Sequence, residues 1–258
     1  MKVSIVTISY NQAEFLEDAI LSVLNQDYPN IEYIVVDPGS TDGSREIIEK
    51  YRDRLDHIVY EPDDGPADGL NKGFSRAAGD IYGYLNADDI LLPTTVSHFV
   101  KCFQSSSADV ISGHGYIIDR DGKITEKVFS HKFDPVSYVY GACVLVQQSS
   151  FFKAECFKNV GGFNKGNRVS WDGELCFDMA LNGSSFKRVP GFWSCFRVYD
   201  ESITGSGAFE EKARQVLIRH AKQINQKGID SWLKKKLYWL KVRLFDPALI
   251  VQKVVEKV

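Results

Sequence analysis

Residues 3–37 read VSIVTISYNQAEFLEDAILSVLNQDYPNIEYIVVD, and this stretch decides the fold class. Residues 3–9 are a β-branched run, which predicts a strand. Apolar residues then recur at Phe15, Leu16, Ala19, Ile20, Val23 and Leu24. That is helical spacing and predicts a helix over residues 12–26. Residues 31–37 predict a second buried strand. Strand, helix and strand in succession make a βαβ unit, whose strands lie parallel.

The alternation continues. Ser40-Thr41-Asp42-Gly43 is a turn rich in helix-capping side chains, and residues 44–51 carry Ile47, Ile48 and Tyr51 on one helical face. Residues 56–61 and 81–85 predict strands, with a short helix over 69–78 between them. The expected class is α/β, with a Rossmann-like, mainly parallel central sheet flanked by helices. Such sheets bind ligands at the carboxyl ends of their strands. That edge collects Ser9, Tyr10, Asn11, Asp37, Ser40, Asp42, Glu61, Asp63, Asp64, Asn86, Asp88 and Asp89.

Asn86-Ala87-Asp88-Asp89 stands at the mouth of the fourth strand. Two carboxylates and an amide are hard oxygen ligands, suited to a divalent cation that also holds phosphate oxygens. The same residues also suit a solvated turn capping the next helix. No G-x-G-x-x-G follows the first strand and there is no P-loop lysine, so the common dinucleotide and ATP fingerprints are absent. A nucleotide would be held by Asp37 on a base N–H, Tyr10 on a ring face and a metal on the phosphates.

A chain of 258 residues with 44% apolar and 25% charged residues has the composition of a globular protein. A net charge of −3 gives no argument for a nucleic-acid partner. Neither a signal peptide nor a membrane-spanning run is legible. Five scattered cysteines (Cys102, Cys143, Cys156, Cys176, Cys195) show no metal spacing and fit reduced thiols. These features set the expectation of a cytoplasmic protein.

Three further stretches join the first: EPDDGPADGLNKGFSRAAGDIYGYLNADD (61–89), SSFFKAECFKNVGGFN (149–164) and WDGELCFDMALNG (171–183). In this order they resemble family-2 glycosyltransferases of the GT-A fold, closest to the bacterial branch building O-antigen, capsule and other exopolysaccharides. The resemblance covers about residues 1–205. It implies a nucleotide-sugar donor, UDP-sugar foremost with dTDP- or GDP-sugar as alternatives, and Mn2+ or Mg2+ as cofactor. Ser9, Tyr10, Asn11, Asp37 and Ala87 become nucleotide contacts, joined by Asp68, Asn71 and Lys72 from the family's third segment. Pro38 stands where relatives often have a second Asp. The D-x-D metal motif reads Asn86-Ala87-Asp88, so Asp88 is the foremost metal ligand. Asn86 adds an oxygen, and Asp89 binds metal through water or orients the loop.

The resemblance makes Asp172 the catalytic base and Glu174 a supporting or acceptor-side acid. Without it, the pair reads as acids complementing a helix dipole. Trp171 stacks on a sugar or fills the core. Arg197 and Ser202, with Thr204, fall where the family's loop nears the leaving diphosphate, and Gly205-Ser206-Gly207 would let that loop move. Tyr199 replaces the usual His, and Gln147 replaces the His of a His-Gln pair. His114 faces the sugar or is structural, and residues 138–146 predict a buried strand.

Residues 1–225 form the expected glycosyltransferase domain, with a nucleotide-binding half (1–100) and an acceptor half (101–225). Residues 226–258 form an amphipathic helical extension. Leu233, Leu237, Leu240 and Leu244 make one stripe, ringed by Lys234, Lys235, Lys236, Lys241 and Arg243, before Asp246-Pro247 breaks the helix. A membrane surface at the inner face of the cell membrane and a protein partner both fit this pattern. The expected activity is inverting transfer of a hexosyl or N-acetylhexosaminyl group to a glycan or lipid-linked glycan, as in lipopolysaccharide synthesis. The rival reading is a non-catalytic sugar-nucleotide or glycan-binding module.

Overall fold

The computed structural model describes residues 1–202, 205 and 210–245. Strand β1 (Val3–Ile8) runs parallel to β2 (Ile31–Val36) on one side and β4 (Ile81–Asn86) on the other. Strand β3 (His57–Val59) extends the parallel region beyond β2. The crossovers are α1 (Ala13–Leu24), α2 (Ser44–Lys50) and α3 (Pro66–Phe74). Helix α3 starts three residues before its apolar period suggests. Pro66 tolerates the first turn, where its missing N–H is not needed, and Gly65 turns the chain at φ 112°.

After β4 come β5 (Ile90–Leu91), α4 (Thr95–Gln104), β6 (Val110–Ile118) and β7 (Ile124–Val128). Then follow α5 (Pro135–Val139), β8 (Ser150–Lys153), α6 (Ala154–Asn159), α7 (Trp171–Leu181), β9 (Phe186–Arg197), α8 (Glu210–Gln223) and α9 (Trp232–Phe245). The strands lie in the order β3-β2-β1-β4-β8-β6-β9-β5, with β7 hydrogen-bonded to β6. Parallel pairing therefore rules the first half. Antiparallel β8 joins it to a mixed second half, where β6 pairs parallel to β9. Apolar side chains cover both faces: Leu16, Ile20, Val35 and Phe99 on one, Phe74, Tyr82, Phe157 and Phe177 on the other.

Residues 138–146 do not form the expected strand. Asp134 caps α5 by accepting the Ser137 N–H at 2.8 Å, and Gly141 turns the chain at φ 68°. The following backbone bonds to a loop: Val144 N–H donates to His131 Nδ1 and Val146 N–H to Ser130 Oγ. Those contacts replace a strand ladder. Gly113 and Gly115 do not interrupt β6. They let Trp193 and Ser194 of β9 approach where a β-carbon would clash, and the β6–β9 register slips there. His114, fully buried, accepts the Ser130 N–H at 3.0 Å and is structural.

Helix α9 docks by its aromatic face. Tyr238 stacks on Tyr140 at 4.4 Å, and Trp239 meets His131 edge-on. The leucine stripe looks outward: Leu233, Leu237, Leu240 and Leu244 are 55–69% exposed. No helix of the described residues is long and apolar enough to cross a membrane. The Asp246-Pro247 break and the segment after it lie outside the described residues.

Candidate active site

The carboxyl ends of β1, β2 and β4 open into a cleft of about 970 Å3, closed opposite by β6, β9 and the loop before α7. Ser9 and Tyr10 line it directly after β1. The Ser9 hydroxyl is buried with no partner, and Tyr10 is 62% exposed. Asp37 is fully buried behind Pro38 and Gly39 of the lining. One of its oxygens accepts from Gly39 N–H, Ser40 N–H and Arg45 Nε, whereas the other has no partner. A buried orphan acceptor costs free energy unless a ligand donates to it. Asn11 takes another role. At φ 52° it donates its N–H to Ser40 Oγ, and its side chain accepts the Thr41 N–H. It fastens two loops together.

The loop after β4 separates its two carboxylates. Ala87 donates its N–H to Ile8 O, which turns Asp88 into the cleft. Asp89 is fully buried. Its oxygens accept from Asn86 Nδ2 at 3.0 Å, Gln148 Nε2 at 2.8 Å and the Arg197 N–H at 3.0 Å. Asp89 is thus the hub that orients the loop, not a ligand facing the cleft. Burial raises the pKa of both carboxyls, Asp89 well above the ordinary range, where the Asp88 charge adds to the effect. Asn86 lines the cleft, and its carbonyl oxygen is buried without a partner. Among the described residues no cluster of three His, Cys, Asp or Glu could hold a metal by itself. One carboxylate and one orphan amide oxygen suit a cation that takes its other ligands from water and phosphate.

Arg197 lies beneath this loop and is 2% exposed. It donates Nε to Asp88 O at 2.9 Å and Nη1 to Asp119 O and Arg120 O, with its guanidinium over the Phe15 ring. Its Nε and Nη1 donors are taken by protein carbonyls and Nη2 lies 3.9 Å from Asp18, so it braces the Asp88 loop from the cleft lining. Tyr199 reaches the cleft: its hydroxyl lies 3.2 Å from both Asp88 Oδ2 and Gln12 Oε1. Burial and the Asp88 charge push its pKa up to about 12. Ser202 lines the cleft while donating to Tyr199 O at 2.7 Å. Thr204, Ser206 and Gly207 lie outside the described residues.

On the opposite wall α7 begins with Trp171 and Asp172, both lining the cleft. Asp172 is half-buried, and its pKa is raised by burial, with backbone N–H groups at the helix start acting against the rise. Glu174 does not face the cleft. It accepts from Asn164 at 3.0 Å, Asn167 at 2.5 Å and Arg219, with His220 Nε2 at 3.7 Å. Burial would raise its pKa, but the nearby His220, hydrogen bonds from Asn164 and Asn167 and the Arg219 charge bring it to about 2. Glu174 therefore pins the loop over residues 164–170 in front of Asp172.

Asp68, Asn71 and Lys72 are not in the cleft lining. Asp68 pairs with Lys165 at 2.6 Å and Lys72 at 3.1 Å, which lowers its carboxyl to about 2. Asn71 clasps Phe163, donating to its carbonyl at 2.8 Å and accepting its N–H at 2.9 Å. Lys72 also donates to Pro62 O. Asp68 and Asn71 thus tie α3 to the loop before α7, while Lys72 holds the loop that leads into α3. Gln147 lines the cleft and donates to Tyr84 O. Gln148, the second member of the His-Gln pair position, binds Asp89. The sequence reading missed Gln12 and Arg168, of which only Arg168 had a local signal, a cation four residues before Asp172. All five cysteines are free.

A loop carboxylate, Asp88, on one wall and a helix-borne carboxylate, Asp172, on the other, above parallel strand ends, fit a glycosyltransferase site of GT-A architecture. Residues 4–203 match the family described as Glycosyl transferase family 2, and the chain belongs to that family. The putative teichuronic acid biosynthesis glycosyltransferase TuaG of Bacillus subtilis is 43% identical over 140 residues, 53% of this chain and 55% of TuaG. An uncharacterized glycosyltransferase of Nostoc sp. is 35% identical over 130 residues, 49% of this chain and 40% of the relative. The chain thus spans about half the length of these curated relatives. Among solved structures, S. aureus TarS 1-349 in complex with UDP-GlcNAc superposes with a TM-score of 0.72 at 18% identity, covering 94% of this chain and 71% of that one. The mannosyltransferase PcManGT from Pyrobaculum calidifontis, with GDP-Man and Mn2+, gives 0.67 at 20% identity, covering 98% and 73%.

Proposed function

We propose that the protein transfers a hexosyl or N-acetylhexosaminyl group from a UDP-sugar to a hydroxyl of a cell-surface glycan or its lipid-linked precursor, with inversion. The observation that carries this is the half-buried Asp172 carboxylate, which shares one cleft with Asp88. Burial lifts Asp172 from the ordinary carboxylate range toward that of a proton acceptor in use. It would take the proton of the attacking hydroxyl, and a single displacement at the anomeric carbon needs no protein nucleophile. Asp88 and the Asn86 carbonyl would hold Mn2+ or Mg2+, which when bound offsets charge developing on the leaving diphosphate. Asp37's unpartnered oxygen would accept a base N–H, with Ser9 and Tyr10 beside the nucleotide. Uridine is supported by the TarS complex, and the GDP-Man complex keeps guanosine as the alternative. Screening UDP-, dTDP- and GDP-sugars for metal-dependent nucleotide release tests the reading. Binding without release, with or without candidate acceptors, would make the protein a binding module.

We also infer that the protein works at the inner face of the cell membrane, through α9. At about 100° per residue its four stripe leucines fall within an arc of about 60°. Lys234 and Lys241 flank the arc on one side and Lys236 on the other, all exposed. An outward apolar stripe with cations on both sides complements an anionic lipid surface.

A further inference from the structure

The cleft lining carries five carboxylates, those of Asp63, Asp64, Asp88, Asp172 and Glu201. Its two guanidinium groups differ sharply. Arg197 is buried and bonded to protein carbonyls, as described. Arg168 is exposed, and its guanidinium has no hydrogen bond or ion pair among the described residues. An anionic substrate entering this acid-lined cleft meets one cation that is not already engaged.

Arg168 is nevertheless held in place. Asn167, 4% exposed, donates to Glu174 at 2.5 Å and accepts the N–H groups of Val169 and Ser170 at 3.1 and 3.2 Å. The backbone on both sides of Arg168 is therefore anchored to α7. Three residues earlier, Lys165 pairs with Asp68 of α3. The side chain crosses to the opposite lip. Its Nε lies 3.8 Å from the point a Gly65 β-carbon would occupy, and Cζ lies 3.9 Å from it. Gly65 belongs to the loop after β3, at the strand ends where the donor is expected to lie.

We infer that Arg168 is the donor-anion receptor of this cleft, closing from the acceptor-side loop onto a phosphate or carboxylate oxygen of the bound nucleotide-sugar. A planar guanidinium suits either group, because its paired N–H donors match two oxygens. The inference rests on the donor reading proposed above. It adds that a residue from the loop before α7, already anchored beside Asp172, reads the charge of the donor.

Calorimetry on the full chain with Mn2+ tests this, using UDP, UDP-glucose, UDP-glucuronate, GDP and inorganic pyrophosphate. Wild type is compared with Arg168→Ala and Arg168→Lys. Arg168→Ala is expected to weaken binding about tenfold, and Arg168→Lys, which keeps the charge without the fork, to recover part of that. A loss already present with UDP and pyrophosphate identifies the diphosphate as partner. A loss confined to UDP-glucuronate identifies a carboxylate on the transferred sugar. Equal affinities of wild type and Arg168→Ala for all five ligands overturn the proposal. If wild type binds pyrophosphate but no nucleotide, the donor reading fails and the pyrophosphate comparison alone decides Arg168. If wild type binds none of the five, both fail. An unchanged melting temperature of Arg168→Ala checks the fold, which loses no internal bond in that variant.

Discussion

The two walls of the cleft each carry a pair of acids, and each pair splits the same way. Asp88 and Asp172 face the cleft, whereas Asp89 and Glu174 turn inward and hold the backbone that presents them. The inward acids are satisfied differently. Glu174 has the Arg219 guanidinium, and its carboxyl falls to about 2. The Asp89 pKa is driven up by burial and by the second carboxylate beside it, against which its three neutral N–H donors act. Glu174 is thus held ionised within the protein. The other wall sets two adjacent carboxyls whose ionised forms burial disfavours, and a bound cation would favour their ionisation.

The largest expected effect lies at the base. Asp172→Asn keeps the shape and removes the proton acceptor, so transfer should fall by about two to four orders of magnitude with donor binding unchanged. Steady-state rates together with donor calorimetry measure this. Transfer near the wild-type rate would make Asp172 a helix-start acid and break the comparison.

On the other wall, Asp88→Ala should abolish the metal-dependent part of nucleotide binding, and Asn86→Asp should keep or tighten it, since a carboxylate is the harder ligand. Titrating UDP with and without Mn2+ decides the matter. A wild type whose UDP affinity ignores the metal would sink this half of the argument.

A smaller effect should appear at the self-contained acid. Glu174→Ala leaves the Asn164 and Asn167 donors without their acceptor and should cost about 2 kcal/mol in urea unfolding. The folded carboxyl titrates at about 2, below the ordinary value of 4.5. Its stabilisation is therefore full above pH 4.5 and is lost as pH falls through about 2. Glu174→Gln should flatten the acid side of the stability curve over that window. A curve parallel to wild type would show that the carboxylate charge contributes nothing.

The smallest effect on catalysis is expected from the tail. Removing residues 231–258 should abolish sedimentation with anionic vesicles while donor hydrolysis stays measurable. Binding by the intact chain should weaken with salt, since attraction is screened over about 8 Å at physiological ionic strength. Loss of a dimer in size-exclusion chromatography would show instead that the leucine stripe covers protein.

The first half of the fold was legible because its signals are local. The β-branched runs and the 3.6-residue period from β1 to α2 lie within a few turns of chain, and burial followed them. Asp88 and Asp172 were legible through an ordered series of motifs. Tertiary structure alone decided which acid of each pair faces the cleft, because the partners that turn Asp89 and Glu174 inward lie far away in sequence. Gln148 is 59 residues from Asp89, Arg197 is 108 from it, and Arg219 is 45 from Glu174. The same holds for Asn71, whose amide is taken by Phe163 across 92 residues. In α9 both faces are amphipathic enough to pack. The contact of Tyr238 with Tyr140 chose the aromatic one and left the leucines outside. Periodicity sets which residues share a face, but what meets that face depends on how distant segments come together.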